Sequence, residues 1–373
     1  MDSRERVLMT LNHEQPDRPP IDMGGLVTSP TYGAYENMKK YFNLKNPSAY
    51  IGGFKVMLNM DEEILQRCHS DFRTHYLPLT GKEWEVKWIA EDKFIDRWGV
   101  TFRDVGDYYE MIKYPFAGDN VTIDDVMNYP WPDFSDPKLF EGVEEQVKKM
   151  YNETGASICG TVCCNVMERI MWLRGLSDFL MDLYIDEDLC CAMLDKSTEM
   201  ILDYLKNYLP LVRDYVDVML YGDDLATQDS LLFSPDAYRR IIKPRQEKVF
   251  EYIKENSHAK IFYHCCGSAV GMLDDLVDVG VDILNPVQPL AKGMDFNFLK
   301  DRYGKNLVFW GAIDEQQLLP HGTPEQVKAY TENAIRILGK GGGYVVAPAH
   351  NIQSDVPMEN MLAMCDAAAE FKW

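Results

Sequence analysis

A histidine and a cysteine two residues apart, His264 and Cys266, directly follow the apolar run Lys260-Ile261-Phe262-Tyr263. At the end of a buried strand, an imidazole and a thiolate so spaced reach a common point, and both suit a borderline-soft ion such as zinc. Alone, a His-x-Cys pair is a weak signal. Its bland alternative is a histidine satisfied at a rim beside an inert buried thiol. The surrounding pattern strengthens the metal reading, because it predicts a parallel barrel whose working face is built at strand ends. Alternation along the strand turns Cys265 to the opposite face, into the core. Cys163-Cys164 reads as a pair of small buried hydrophobes, with a spare thiolate as the alternative.

The elements that must position such a pair are visible as apolar runs bounded by turn residues. Candidate strands lie at 19–23, 71–77, 156–161, 217–221, 260–264, 282–285, 307–310 and 343–347. Helical stretches at 139–151, 188–208, 235–255, 269–279, 324–338 and 358–371 separate or follow them. Short buried strands alternating with longer helices imply parallel pairing through right-handed crossovers. Eight such strands are what an α/β fold of the (β/α)8 TIM-barrel type requires, and the pattern predicts one domain over 1–373. An insertion at about 83–137 interrupts the N-terminal half. Its first part, with Trp84, Trp88, Phe94, Trp98 and Phe102, predicts an antiparallel hairpin or meander that covers the barrel mouth or forms a dimer face. Its second part is a connection rich in proline and aspartate.

Barrel chemistry sits at the carboxyl ends of the strands. Candidates there are Asp22, Asp71, Arg73, Thr161, Cys163, Asn165, Glu168, Asp223, Asp224, His264, Cys266, Asn285, Gln288, Asp314 and His350. Asp71 reads as a general acid or pocket anion, or as the partner of Arg73. Asp224, with Asp223, reads as an acceptor orienting His264, as an acid/base group, or as a turn cap. Glu168 is a metal ligand or a helix-dipole partner. Asn285, Gln288 and Asp314 are the cofactor-binding candidates. Gly341-Gly342-Gly343 precedes a strand, so it reads as a tight turn and not a phosphate cradle.

A net charge of −21 argues against nucleic acid and against anionic membrane surfaces. No stretch approaches the roughly 20 apolar residues that span a bilayer, and no secretory signal is visible. Nine cysteines, several in doublets, suit reduced thiols in a cytoplasmic protein.

Several blocks together resemble the uroporphyrinogen decarboxylase superfamily. They are Ser3-Arg4-Glu5-Arg6-Val7 with His13-Glu14-Gln15-Pro16-Asp17-Arg18-Pro19, then 234–245, 264–268, 280–286, 310–314 and 347–360. The resemblance implies a (β/α)8 barrel and one of two chemistries. Cofactor-free decarboxylases of that superfamily grip a tetrapyrrole with arginine in the first loop, and use an aspartate after strand two and a tyrosine after strand three. Here the first loop, 22–28, has no arginine and the strand-three loop, 163–168, no tyrosine, although Asp71 falls near the aspartate position. The other branch holds the zinc-dependent methylcobamide:coenzyme M methyltransferases, with His-x-Cys after strand five and a further cysteine near strand eight. That branch implies zinc on His264, Cys266 and His350, the last standing where those enzymes have cysteine. It also implies Asp71, Asp224 and Glu168 as pocket carboxylates and a corrinoid brought by a separate carrier protein. The expected activity is methyl transfer between that corrinoid protein and a thiol or methyl ether. A uroporphyrinogen decarboxylase-type carboxy-lyase and a non-catalytic barrel that binds a corrinoid carrier are the alternatives.

Overall fold

The computed structural model describes residues 1–48, 55–77, 86–106 and 108–373; Trp84 of the expected meander lies outside them. Among these residues, seven parallel strands curl into one sheet in the order β1-β6-β7-β8-β9-β10-β11. They are β1 (Phe72–Thr74), β6 (Ser157–Thr161), β7 (Val216–Gly222), β8 (Lys260–His264), β9 (Ile283–Val287), β10 (Val308–Ile313) and β11 (Tyr344–Pro348). The gap between β11 and β1 is closed by the segment around Ile21, so the fold is a (β/α)8 barrel. The Val346 amide donates to the Pro20 carbonyl and Asp22 donates back to Val346, both at 2.9 Å, while Asp71 donates to Ile21 at 2.8 Å.

The strand expected at 19–23 is therefore reduced to a bridge at Ile21. Pro19 and Pro20 have no N–H to give a ladder, so this stave cannot pair along its length. Elsewhere the boundaries follow local chemistry. The helix Pro324–Leu338 starts where the Thr323 hydroxyl and the Gln326 side chain cap each other's backbone amides, with proline in the first turn.

One apolar cluster fills the barrel: Phe72, Leu220, Phe262, Val308 and Trp310 with smaller neighbours. Val7 and Leu11 of the first helix, Ser3–Leu11, join it from below. That helix is fastened to the amino ends of the strands by Arg4, which bonds Asp217 at 3.1 Å, and Arg6, which bonds Asp71 at 2.7 Å. The interior is packed shut on this side, leaving the carboxyl ends for chemistry.

The insertion forms a four-stranded antiparallel meander of β2 (Lys87–Ala90), β3 (Lys93–Ile95), β4 (Thr101–Asp104) and β5 (Tyr109–Lys113). Phe94 stacks on Phe102 and meets Tyr109 edge-on, with ring centroids at 5.2 and 4.9 Å. The β3–β4 turn carries Trp98, which is 2% exposed and leans on Arg169 beside the barrel mouth. All nine cysteines are free. No helix among the described residues is long and apolar enough to cross a membrane.

Candidate metal centre

The last residue of β8 is His264, and His350 lies two residues beyond β11. The ligand atoms of His264, Cys266 and His350 all lie within 4.8 Å of one another. Cys266 Sγ is 3.3 Å from His264 Nε2, and the two imidazoles face each other edge-on with centroids at 5.5 Å. A histidine-cysteine-histidine set of this spread suits zinc, with room for an exogenous fourth ligand.

Neighbouring residues aim these donors. His264 Nδ1 sits 2.6 Å from Asn285 Oδ1, while the Asn285 amide donates to the Trp310 carbonyl at 3.3 Å. With its NH2 so used, Asn285 presents oxygen, which selects the His264 tautomer with a proton on Nδ1 and a lone pair on Nε2. Asp224 Oδ1 accepts the Cys266 amide at 2.7 Å, and Gln288 Oε1 accepts the Gly267 amide at 2.7 Å. The turn needs glycine there: φ is +83°, and a Cβ would meet the Thr227 carbonyl oxygen at 2.3 Å. Burial, and then His264, push the His350 imidazole down to about 3, so it is a neutral ligand at any ordinary pH. Burial and the field of Asp224 raise the Cys266 thiol well above its ordinary range, so without a cation it stays protonated.

The centre opens on a cavity of about 220 Å³ walled by Val27, Trp172, Leu220 and Phe262, and Glu168 and Cys163 line it too. This is below the roughly 300–1,000 Å³ of drug-sized pockets, so it suits a small molecule. Glu168 lines the cavity and is half-buried. Burial, then Asp224 and Asp223, raise it to about 8, and its oxygen accepts from Asn165 Nδ2 at 2.7 Å. Asp223 is spoken for: it accepts the Met167 and Glu168 amides at 3.0 and 2.7 Å and the Gln246 amide at 2.8 Å, and the Tyr221 hydroxyl bonds it too.

Glu168 gives a pH signature. Between its ordinary value near 4.5 and about 8, the folded chain holds a proton that the unfolded chain has lost. The stability contributed by this group therefore falls as pH rises through that window. Glu168→Gln should melt progressively higher than the parent between pH 5 and 8, the gap widening by about 2 °C or more. A gap independent of pH in thermal unfolding would place the group in water.

Three expected roles change. Asp71 opens β1 at the amino end of the barrel, not at the mouth. It is held by Arg6 at 2.7 Å, Arg18 at 2.8 Å and the Ile21 amide at 2.9 Å, while Arg73 pairs instead with Glu62. Asp314 accepts the Gln316, Gln317 and Leu318 amides at 2.9 to 3.2 Å and caps the turn after β10, so it is not a cavity group. Asn285 bonds His264 and Gln288 the turn after Cys266, and neither lines the cavity. Unforeseen from the sequence was Arg169, whose carbon Cζ lies 4.4 Å from the Trp98 ring and 4.5 Å from that of Trp172. The sole hint was the adjacency of Glu168 and Arg169 at a helix start.

The uroporphyrinogen decarboxylase (URO-D) family model matches residues 109–371. The chain belongs to this family. Within it, the chain is 27% identical over 184 residues to methylcobamide:CoM methyltransferase MtaA of Methanosarcina barkeri, covering 49% of this chain and 50% of that protein. It is 26% identical over 185 residues to the methylated-thiol–coenzyme M methyltransferase of Methanosarcina mazei, covering 50% and 46%. Uroporphyrinogen decarboxylases match over a similar span, as at 24% identity with that of Pseudoalteromonas translucida. The chain spans about half the length of the curated relatives it matches. A solved methyltransferase from Methanosarcina mazei shares the fold with a TM-score of 0.67 at 18% identity, over 100% of this chain and 99% of that one.

Proposed function

We propose that this family member is a zinc-dependent methyltransferase of a corrinoid system, moving a methyl group between a corrinoid protein and a thiol or methyl-ether substrate. The observation that carries the reading is the convergence of His264, Cys266 and His350 on one point at the edge of a small cavity. The names of the methylcobamide and methylated-thiol methyltransferase relatives support it. The reading takes 1–373 as one domain acting in the cytoplasm, alone or as a homodimer, with the corrinoid on a separate protein.

These three residues would hold zinc, which as a Lewis acid favours a thiolate at neutral pH or polarises an ether oxygen. The chain's own contribution is positional. Asn285 fixes the His264 lone pair, and Asp224 and Gln288 hold the strand-end turn that carries Cys266. The apolar walls exclude water from the reacting methyl group. Glu168, protonated up to about 8, can give a proton to a leaving oxygen at the cavity.

The decarboxylase reading has less support. Its expected aspartate, Asp71, is bound between two arginines on the opposite side of the barrel, and the cavity is small for a tetrapyrrole. The test is metal content after zinc-replete growth together with methyl transfer from methylcobalamin to a thiol. About one zinc per chain and methylated thiol are expected. Absence of metal, or carbon dioxide release from uroporphyrinogen without methyl transfer, would overturn the proposal. Carrier binding with neither activity would leave the accessory-barrel reading.

A further inference from the structure

Leu26 and Val27 bring the loop after the Ile21 stave to the cavity that His264 and His350 also line. Val27 reaches further, packing on the cluster of Phe72, Leu220, Phe262 and Trp310 that fills the barrel. Among the described residues it is the one partly buried apolar side chain laid on that cluster. It therefore stands where the packed interior gives way to the cavity.

Two side chains outside the loop hold it in place. Asp22, buried on the stave, accepts the Thr28 hydroxyl at 2.7 Å through Oδ2, and Thr28 Oγ1 accepts the Gly25 amide at 3.0 Å. The same carboxylate oxygen accepts the Trp310 indole N–H at 3.0 Å, which ties the loop to a ring of the barrel filling. Glycine suits position 25, because a Cβ there would meet Thr28 Oγ1 at 2.8 Å and Asp22 Oδ2 at 3.0 Å. From the other side Asn351, the residue after His350, gives its Nδ2 to the Leu26 and Ser29 carbonyls at 3.0 and 2.9 Å. Thr28 and Ser29 are fully buried. Opening the loop would strand these polar groups away from water, at the full cost of an unmade bond for each. Val27 is thereby a fixed boundary and not a flap, and its branched Cβ restricts its own rotation as well.

We infer that Val27 sets the size of the apolar group accepted beside the metal centre, with Asp22, through Thr28, and Asn351 as the positioning residues that hold it there. The assignment deepens the methyltransferase reading and rests on it for the identity of the reacting end as a thiol. The ligand class is a short, unbranched aliphatic thiol, since the cavity holds about 220 Å³ and Val27, Leu220 and Phe262 wall it with hydrocarbon.

The experiment follows methyl transfer from methylcobalamin to ethanethiol, 1-propanethiol, 1-butanethiol and 1-pentanethiol. It compares the zinc-loaded parent with Val27→Ala, Val27→Leu, Thr28→Val and Asn351→Ala. In the parent, kcat/KM should fall by about 10-fold or more at one step of the series, the scale of a single methylene against a fixed wall. Val27→Ala should move that step to a longer chain, and Val27→Leu to a shorter one. Thr28→Val and Asn351→Ala should each blur the step and speed deuterium exchange in the peptide carrying residues 24–29. A parent series with no step, or a step at the same thiol whatever residue stands at 27, would overturn the inference. Equal losses for every thiol in Thr28→Val and Asn351→Ala, with the step kept, would make the two anchors merely structural and remove them from it. If no thiol is methylated, calorimetric binding of the same series to the parent and both Val27 variants takes the place of turnover. A binding step that moves with residue 27 then keeps the wall and sinks the methyltransferase reading. A binding step that stays put, or no binding at all, sinks both.

Discussion

Cys266→Ala should purify from zinc-replete cells with less than about a tenth of a zinc per chain, and its methyl transfer should drop by at least about 1,000-fold. Loss of a mere outer partner of a metal ligand costs roughly 10- to 100-fold, and here a ligand itself goes. Two imidazoles remain, one of them placed by Asn285, and neither replaces the charge of a thiolate. Cys265→Ala is the matched control. Cys265 is 0% exposed and accepts the Leu225 amide at 3.3 Å, so its removal should cost stability but keep the zinc. Metal analysis by mass spectrometry on both variants decides the matter. A zinc content in Cys266→Ala equal to that of Cys265→Ala would remove the centre from the mechanism.

Asp71→Asn should destabilise the chain by about 3–5 kcal/mol, the usual cost of breaking a buried ion pair by removing one partner, with little change in turnover per folded molecule. The carboxylate is fully buried and answers two guanidiniums at once, Arg6 and Arg18, while its Oδ2 also accepts the Ile21 amide. An amide side chain has one acceptor oxygen and no charge for these three donors. Its NH2 would face guanidinium N–H groups. Urea unfolding gives the first quantity and specific activity at equal folded concentration gives the second. Intact stability with abolished activity would return Asp71 to the chemistry.

The misplacement of Asp71 shows what a strand pattern does and does not reveal. The apolar run marks a buried strand, and parallel pairing makes its first residue lie at the floor of the barrel. Asp71 heads its run, whereas His264 ends one, and only the latter position reaches the mouth. Periodicity also found the helix Pro324–Leu338 and the antiparallel meander, because both are specified by local chemistry. The reduced stave at Ile21 was harder, since its neighbours, and not its own sequence, decide whether it pairs.

Side-chain partnerships were less legible for the same reason. Asn285 sits at a strand end in sequence and was read as touching a cofactor, but its register beside His264 makes it the imidazole's orienting group. Asp314 was read the same way, although a carboxylate just after a strand often caps the next turn. Arg169 escaped because its meaning depends on Trp98, which arrives from the distant insertion. His350 was marked by its place after the last strand, and its reading as a ligand came from family likeness, because nothing in its local sequence distinguishes a ligand from a buried histidine.

The meander tip bearing Trp98 is not part of the repeating strand-and-helix scaffold, yet it props a cavity side chain. One wall of the cavity and the strand ends that bear His264, Cys266 and His350 thereby draw on separable pieces of polypeptide. The insertion can change in sequence and length without disturbing the staves that hold the two histidines and Cys266 together.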